Sequence, residues 1–181
     1  MGRRPISLRG PGVVGEGSYQ WRTLPWRRIA IGLGILFLSL QVYPLFIHSV
    51  VGEIASSWNA ALLWLILHGL GQHPTLEGST IIGELTRFVV IPECTIFAPL
   101  SLYTAGLVIF PATIGEKIRA FLLGFLVLSL VNLVRLLTLY FLLGASSQLF
   151  EAAHLFVWQP IMALTALVLW GVWAERRTRG V

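Results

Sequence analysis

Apolar positions in this chain fall in long runs and seldom alternate with polar ones. Ile29 to Gly52 and Cys94 to Gly115 carry no charge, Ala152 to Ala174 carries only the ionisable His154, and Ala120 to Leu143 is broken by Arg135 alone. Crossing a hydrocarbon core takes roughly 20 apolar residues, so these runs predict four spans. They are placed at 28–48, 94–111, 119–143 and 148–173, within a membrane domain covering 28–174.

The segment 50–93 has a different texture. Val51, Ile54, Ala55, Trp58, Ala61 and Leu62 share one helical stripe, and Ala60 to Leu67 is strongly apolar. This predicts a helix lying in the outer interface or packed over the bundle, with a re-entrant helix as the alternative. From His73 to Ile91 the runs TLEGSTII and TRFVVI flank Gly83-Glu84 and predict a short external β-hairpin. Pro92-Glu93 then reads as a helix start, so the second span begins at Cys94 and lies in the first turn of its helix. Pro99 predicts a kink or early boundary, and Gly144 to Ser147 a tight turn. Trp170 and Trp173 suit the interfacial aromatic belt, and no internal repeat is visible. The fold class is therefore an all-α polytopic membrane protein, with about four transmembrane helices, an interfacial helix and a short hairpin.

Composition agrees: 56% of the chain is hydrophobic and 12% charged, more apolar surface than a soluble domain of 181 residues buries. The net charge of +5 would fit a nucleic-acid partner if it lay on one soluble face, but eleven of the thirteen basic residues flank the spans. Arg3, Arg4, Arg9, Arg22, Arg27 and Arg28 precede the first, Lys117 and Arg119 separate the second and third, and Arg176, Arg177 and Arg179 follow the last. The opposite side carries Glu53, Glu77, Glu84, Glu93 and Glu151 beside Arg87. The positive-inside rule then puts both termini in the cytoplasm of a plasma or inner membrane. Residues 1–27, rich in Gly, Pro and Arg, read as a disordered basic tail able to lie on anionic lipid, and 175–181 as a second basic tail. The Ile29 run is too long for a signal-peptide core and no A-x-A site follows it, so it reads as an anchor.

Three side chains carry candidate chemistry. A guanidinium inside a span is costly unless paired, wet or near the surface, which makes Arg135 the most informative residue. Sixteen residues separate it from Arg119, about 24 Å along the helix, in the outer third of the membrane. Asn132 lies on the same face, within reach of it or of a shared ligand. The alternative is a structural ion pair with Glu93 or Glu151. Cys94, the single cysteine, is free, and a helix N-terminus would make its thiol nucleophilic, although a buried cysteine is also a small inert hydrophobe. His154 lies about 10 Å from the start of the fourth helix and is suited to proton transfer or to a plain core hydrogen bond. His48, His68 and His73 lack such a setting. A thiol, a proton carrier and a fixed cation are the parts needed to attack a carbonyl, protonate a leaving amine and stabilise an oxyanion.

The chain resembles the exosortase and archaeosortase family of membrane cysteine transpeptidases over roughly Trp58 to Trp173. The likeness rests on ALLWLILHGLG, the Gly-containing hairpin leading to Cys94, the N-x-x-R pair Asn132 and Arg135, and His154 after the next turn. Family members carry a small polar residue and then Gly after the cysteine, where this chain reads Cys94-Thr95-Ile96. The resemblance implies that Cys94 attacks a peptide bond in the C-terminal sorting signal of an exported protein, a signal made of a short motif, a membrane helix and a basic end. It implies His154 as general acid and base, Arg135 as stabiliser of thiolate or oxyanion, and Asn132 and Glu93 in support. No cofactor or metal is implied. Two other classes remain at this point: a non-enzymatic membrane protein or transporter subunit with a structural Arg–His pair, and a thioester-forming acyltransferase.

Overall fold

The structure, a computed structural model, describes residues 26–84 and 86–179. The tail at 1–25 and the last two residues lie outside the described residues, and so does the reading of the N-terminal tail as disordered. Five helices and a small sheet follow one another: α1 (Trp26–Ile47), α2 (Val50–Gly69), β1 (Thr75–Glu77), β2 (Thr80–Ile82), β3 (Arg87–Val89), α3 (Phe97–Ile109), α4 (Ile114–Ala145) and α5 (Ser147–Arg179). Among the described residues α1, α2, α4 and α5 are long and apolar enough to cross a membrane. Their outward faces are apolar too, with Leu33, Phe37, Leu126, Leu130, Phe156 and Leu164 all exposed. Surfaces of that kind suit lipid.

The set of long helices differs from the expected one. The helix after Cys94 has only 13 residues, about 20 Å, which falls short of a hydrocarbon core by itself. The segment expected as interfacial forms a helix of 20 residues. Ser49 caps it, accepting a hydrogen bond from Gly52 N–H at 3.1 Å. The predicted hairpin is a three-stranded antiparallel sheet in the order β1-β2-β3, because Gly78, at φ +60°, divides TLEGSTII into two strands. Gly83-Glu84 does lie between strands, and Thr80 to Ile82 pairs with Val89 to Arg87. Pro99 sits in the first turn of α3, where its missing N–H costs nothing. α5 continues to Arg179, beyond the expected end at 173 and through most of the expected basic tail.

Two apolar cores are stacked along α4. The first gathers Ala120 and Leu128 of α4 with Tyr103 and Leu107 of α3 and Ala166 of α5. Gly32 of α1 faces Ile109, and Tyr43 and Phe46 stack on Phe97. The second core gathers Leu136, Leu139 and Tyr140 of α4 with Ala60, Leu63 and Leu67 of α2, Ile81 and Phe88 of the sheet, and Cys94. α2 starts beside Pro92, where α1 finishes, and runs alongside the second half of α4. Asn132 and Arg135 fall on α4 between the two cores.

Candidate functional site at the seam between the two cores

After β3 the chain enters a tight turn at Pro92–Cys94. Cys94 N–H donates to the Ile91 carbonyl at 2.8 Å, and Thr95 donates to the Pro92 carbonyl from both N–H and Oγ1. Thr95 is extended, with ψ 172°, and α3 begins only at Phe97. Cys94 is therefore not in the first turn of α3, as the Pro92-Glu93 signal had suggested, and its own N–H is already used. The helix-terminus argument for an activated thiol fails, and any activation must come from neighbouring charge. The thiol is 4% exposed and belongs to the second core.

That charge is Arg135. It is 4% exposed and lies within electrostatic reach of both Cys94 and His154. Its Nε is buried without a hydrogen-bond partner. Among the described residues the ion pairs are Arg177–Glu116 and Arg179–Glu175, so neither Glu93 nor Glu151 locks Arg135. Asn132 also departs from expectation: its Nδ2 donates to Asn59 Oδ1 at 3.1 Å across to α2, and its Oδ1 is buried and unpartnered. A buried guanidinium nitrogen and a buried amide oxygen are each costly to leave without a partner.

His154 sits in a widened π-helical turn, Ala153–Trp158, immediately before Pro160. Proline has no N–H for the carbonyl four residues earlier and collides with it, and a π turn is one way a continuous helix absorbs that mismatch. The imidazole lies against the Phe150 ring, centroids 5.8 Å apart, and neighbouring Ala153 packs on the core that holds Cys94. Cys94 and His154 each lie within electrostatic reach of Arg135. Among the described residues no hydrogen bond links the three directly.

A half-open cavity of about 390 Å³ adjoins the seam between α1, α3, α4 and α5. Glu93, Thr95, Arg135, Tyr43 and Gln159, with Ser39 and Ser101, supply its polar lining, while Leu36, Phe97 and Met162 supply apolar wall; Cys94 and His154 are not part of that lining. Tyr43 is within electrostatic reach of Glu93, Cys94 and Arg135. Sequence reasoning missed Tyr43, Asn59 and Gln159. Asn59 and Gln159 were detectable as uncharged amides inside apolar helical runs, whereas nothing in the local sequence sets Tyr43 apart from an ordinary interfacial aromatic. Among the described residues no group of three His, Cys, Asp or Glu side chains is placed to hold a metal. His68 and His73 meet edge to face at the far end of α2, away from the seam.

Comparison with family models, with curated proteins and with solved structures finds no match for the chain.

Proposed function

We propose that the chain is a membrane-embedded cysteine peptidase or transpeptidase of the exosortase and archaeosortase kind, acting on C-terminal sorting signals of exported proteins. One observation carries the reading: Arg135, buried with its Nε unpaired, lies within electrostatic reach of a buried thiol and of an imidazole, and it lines a cavity. A fixed cation in a water-poor site favours a thiolate, and later an oxyanion, more strongly than it would in water.

The distribution of Arg and Lys supports cytoplasmic termini. α4 is 32 residues long, about 48 Å, and so exceeds a hydrocarbon core of roughly 30 Å. In this reading α1, α3, the first half of α4 and the second half of α5 make up the inner layer within the bilayer, while α2 and the sheet cap it at the outer interface. The exposed stripe of Val51, Ile54, Trp58, Leu62 and Leu65 on α2 then rests in the headgroup region. The seam falls where the motif of a membrane-anchored substrate would emerge, and confinement to that plane supplies proximity.

In the reaction, the Cys94 thiolate attacks the scissile carbonyl, forming a C–S bond while Arg135 balances the oxyanion. The C–N bond then breaks, His154 gives its proton to the departing amine, and the exported protein remains as a thioester on Cys94. An amine or water, deprotonated by His154, attacks that thioester, and Cys94 leaves as thiolate. Glu93 and Tyr43 border the cavity that receives the peptide. The partners are exported proteins bearing motif, helix and basic end, together with the surrounding lipid.

Co-expression with a candidate tagged protein tests the reading. Processing by wild type and its loss in Cys94→Ala are expected. Full processing by Cys94→Ala would instead favour a non-enzymatic protein with a structural Arg–His pair, and a lipid acyl group on Cys94 an acyltransferase.

A further inference from the structure

The orientation of two amides at the seam is dictated by a backbone carbonyl. Asn59 lies on α2, and its Nδ2 donates to the Ala55 carbonyl at 2.8 Å. A carbonyl only accepts, so the NH₂ end of Asn59 must face it and Oδ1 must point the other way. That oxygen accepts from Asn132 Nδ2 at 3.1 Å. Asn132 therefore gives its own NH₂ end to α2, and Oδ1 is the end left over. Oδ1 is buried and unpartnered, one turn along α4 from the equally unpartnered Nε of Arg135.

We infer that Asn59 is a positioning residue for Arg135: from a second helix it fixes the Asn132 amide with its acceptor end toward the guanidinium, and so determines where that cation settles beside Cys94. An acceptor three residues earlier on the same helical face draws a guanidinium toward it. An Asn132 released from Asn59 is free to turn its NH₂ end that way, donor against donor, and to drive the cation off. The inference rests on the proposed role of Arg135 as the cation that acts on the thiolate. It adds a residue of α2, a helix contributing none of the three reacting groups.

The pH dependence of Cys94 alkylation by a small neutral thiol reagent, normalised to its rate at high pH, reads this effect without any peptide substrate. Arg135→Gln removes the cation and is expected to move the midpoint of the profile up by about one unit or more. Asn59→Ala and Asn59→Leu are both expected to move it in the same direction by a part of that shift. The limiting high-pH rate should stay within about twofold of wild type. The two variants differ in volume and share only the missing amide, so a packing defect would separate them and an orientation defect would not. A shift in Arg135→Gln with none in either Asn59 variant overturns the inference and leaves the proposed function standing. An unchanged profile in Arg135→Gln overturns both.

Discussion

The ring of Tyr103 packs directly against Gly124, and its hydroxyl donates to the Ala120 carbonyl at 2.9 Å. A side chain at position 124 would occupy the ring's place, since a Cβ there would stand 2.1 Å from the nearest ring carbon. The contact fixes the height of α3 on α4, and with it the level at which the turn carrying Cys94 meets Arg135.

Gly124→Leu should therefore destabilise the protein by about 1–3 kcal/mol through overpacking, and Tyr103→Phe by about 1 kcal/mol through the lost hydrogen bond. Thermal unfolding in detergent measures both. If the helix pair sets the site, Gly124→Leu should also lose processing out of proportion to its stability, and Tyr103→Phe should not.

Much of this architecture was legible in the chain. The long apolar runs foretold α1, α4 and α5 and the turn between α4 and α5, and Gly83-Glu84 marked the β2–β3 connection. α2 and α3 were harder to read because apolar content registers burial in lipid or in protein without distinguishing them. Leu63 and Leu67 are apolar and face the second core, a requirement that produces the same run of residues as a span would. The start of α3 was misread because Pro92 opens a single tight turn as readily as a helix. At the site, Arg135 and His154 stood out as ionisable groups in apolar runs. The partnership of Asn132 with Asn59, 73 residues away, is a tertiary fact that no local spacing contains.

Arg135→Gln and Arg135→Lys should both lower processing by about 10²–10³-fold, as removal of an oxyanion donor does. Lysine fails because a compact point charge on a flexible stem does not reproduce the planar, fork-shaped guanidinium. Initial rates on the tagged substrate, with protein amount equalised, measure the loss. Activity of Arg135→Lys within about threefold of wild type would reduce the requirement to charge alone.

His154→Gln should lower processing by about 10²–10⁴-fold, the usual worth of a positioned acid and base, and leave Cys94 open to alkylation at close to the wild-type rate. Parallel assays of cleavage and alkylation separate the two functions. Equal losses in both would mean that His154 supports the shape of the pocket and moves no proton.

At the opposite end of α4, Thr113 and Glu116 form a reciprocal cap, and Glu116 also pairs with Arg177. Thr113→Ala should cost about 1 kcal/mol, whereas Arg177→Gln should cost little, because an exposed ion pair contributes about 0–1 kcal/mol and is screened by salt. Unfolding at low and high salt orders the two, and a larger salt-dependent loss in Arg177→Gln would reverse that ranking.

Covalent capture of the substrate tests the thiol chemistry most directly. Wild-type protein mixed with a tagged substrate and quenched in acid should yield a peptide containing Cys94 that carries the upstream part of the substrate as a hydroxylamine-labile thioester, absent from Cys94→Ala. Processing that continues in Cys94→Ala, or cleavage by wild type with Cys94 unmodified at every time point, would contradict a nucleophilic role for this cysteine.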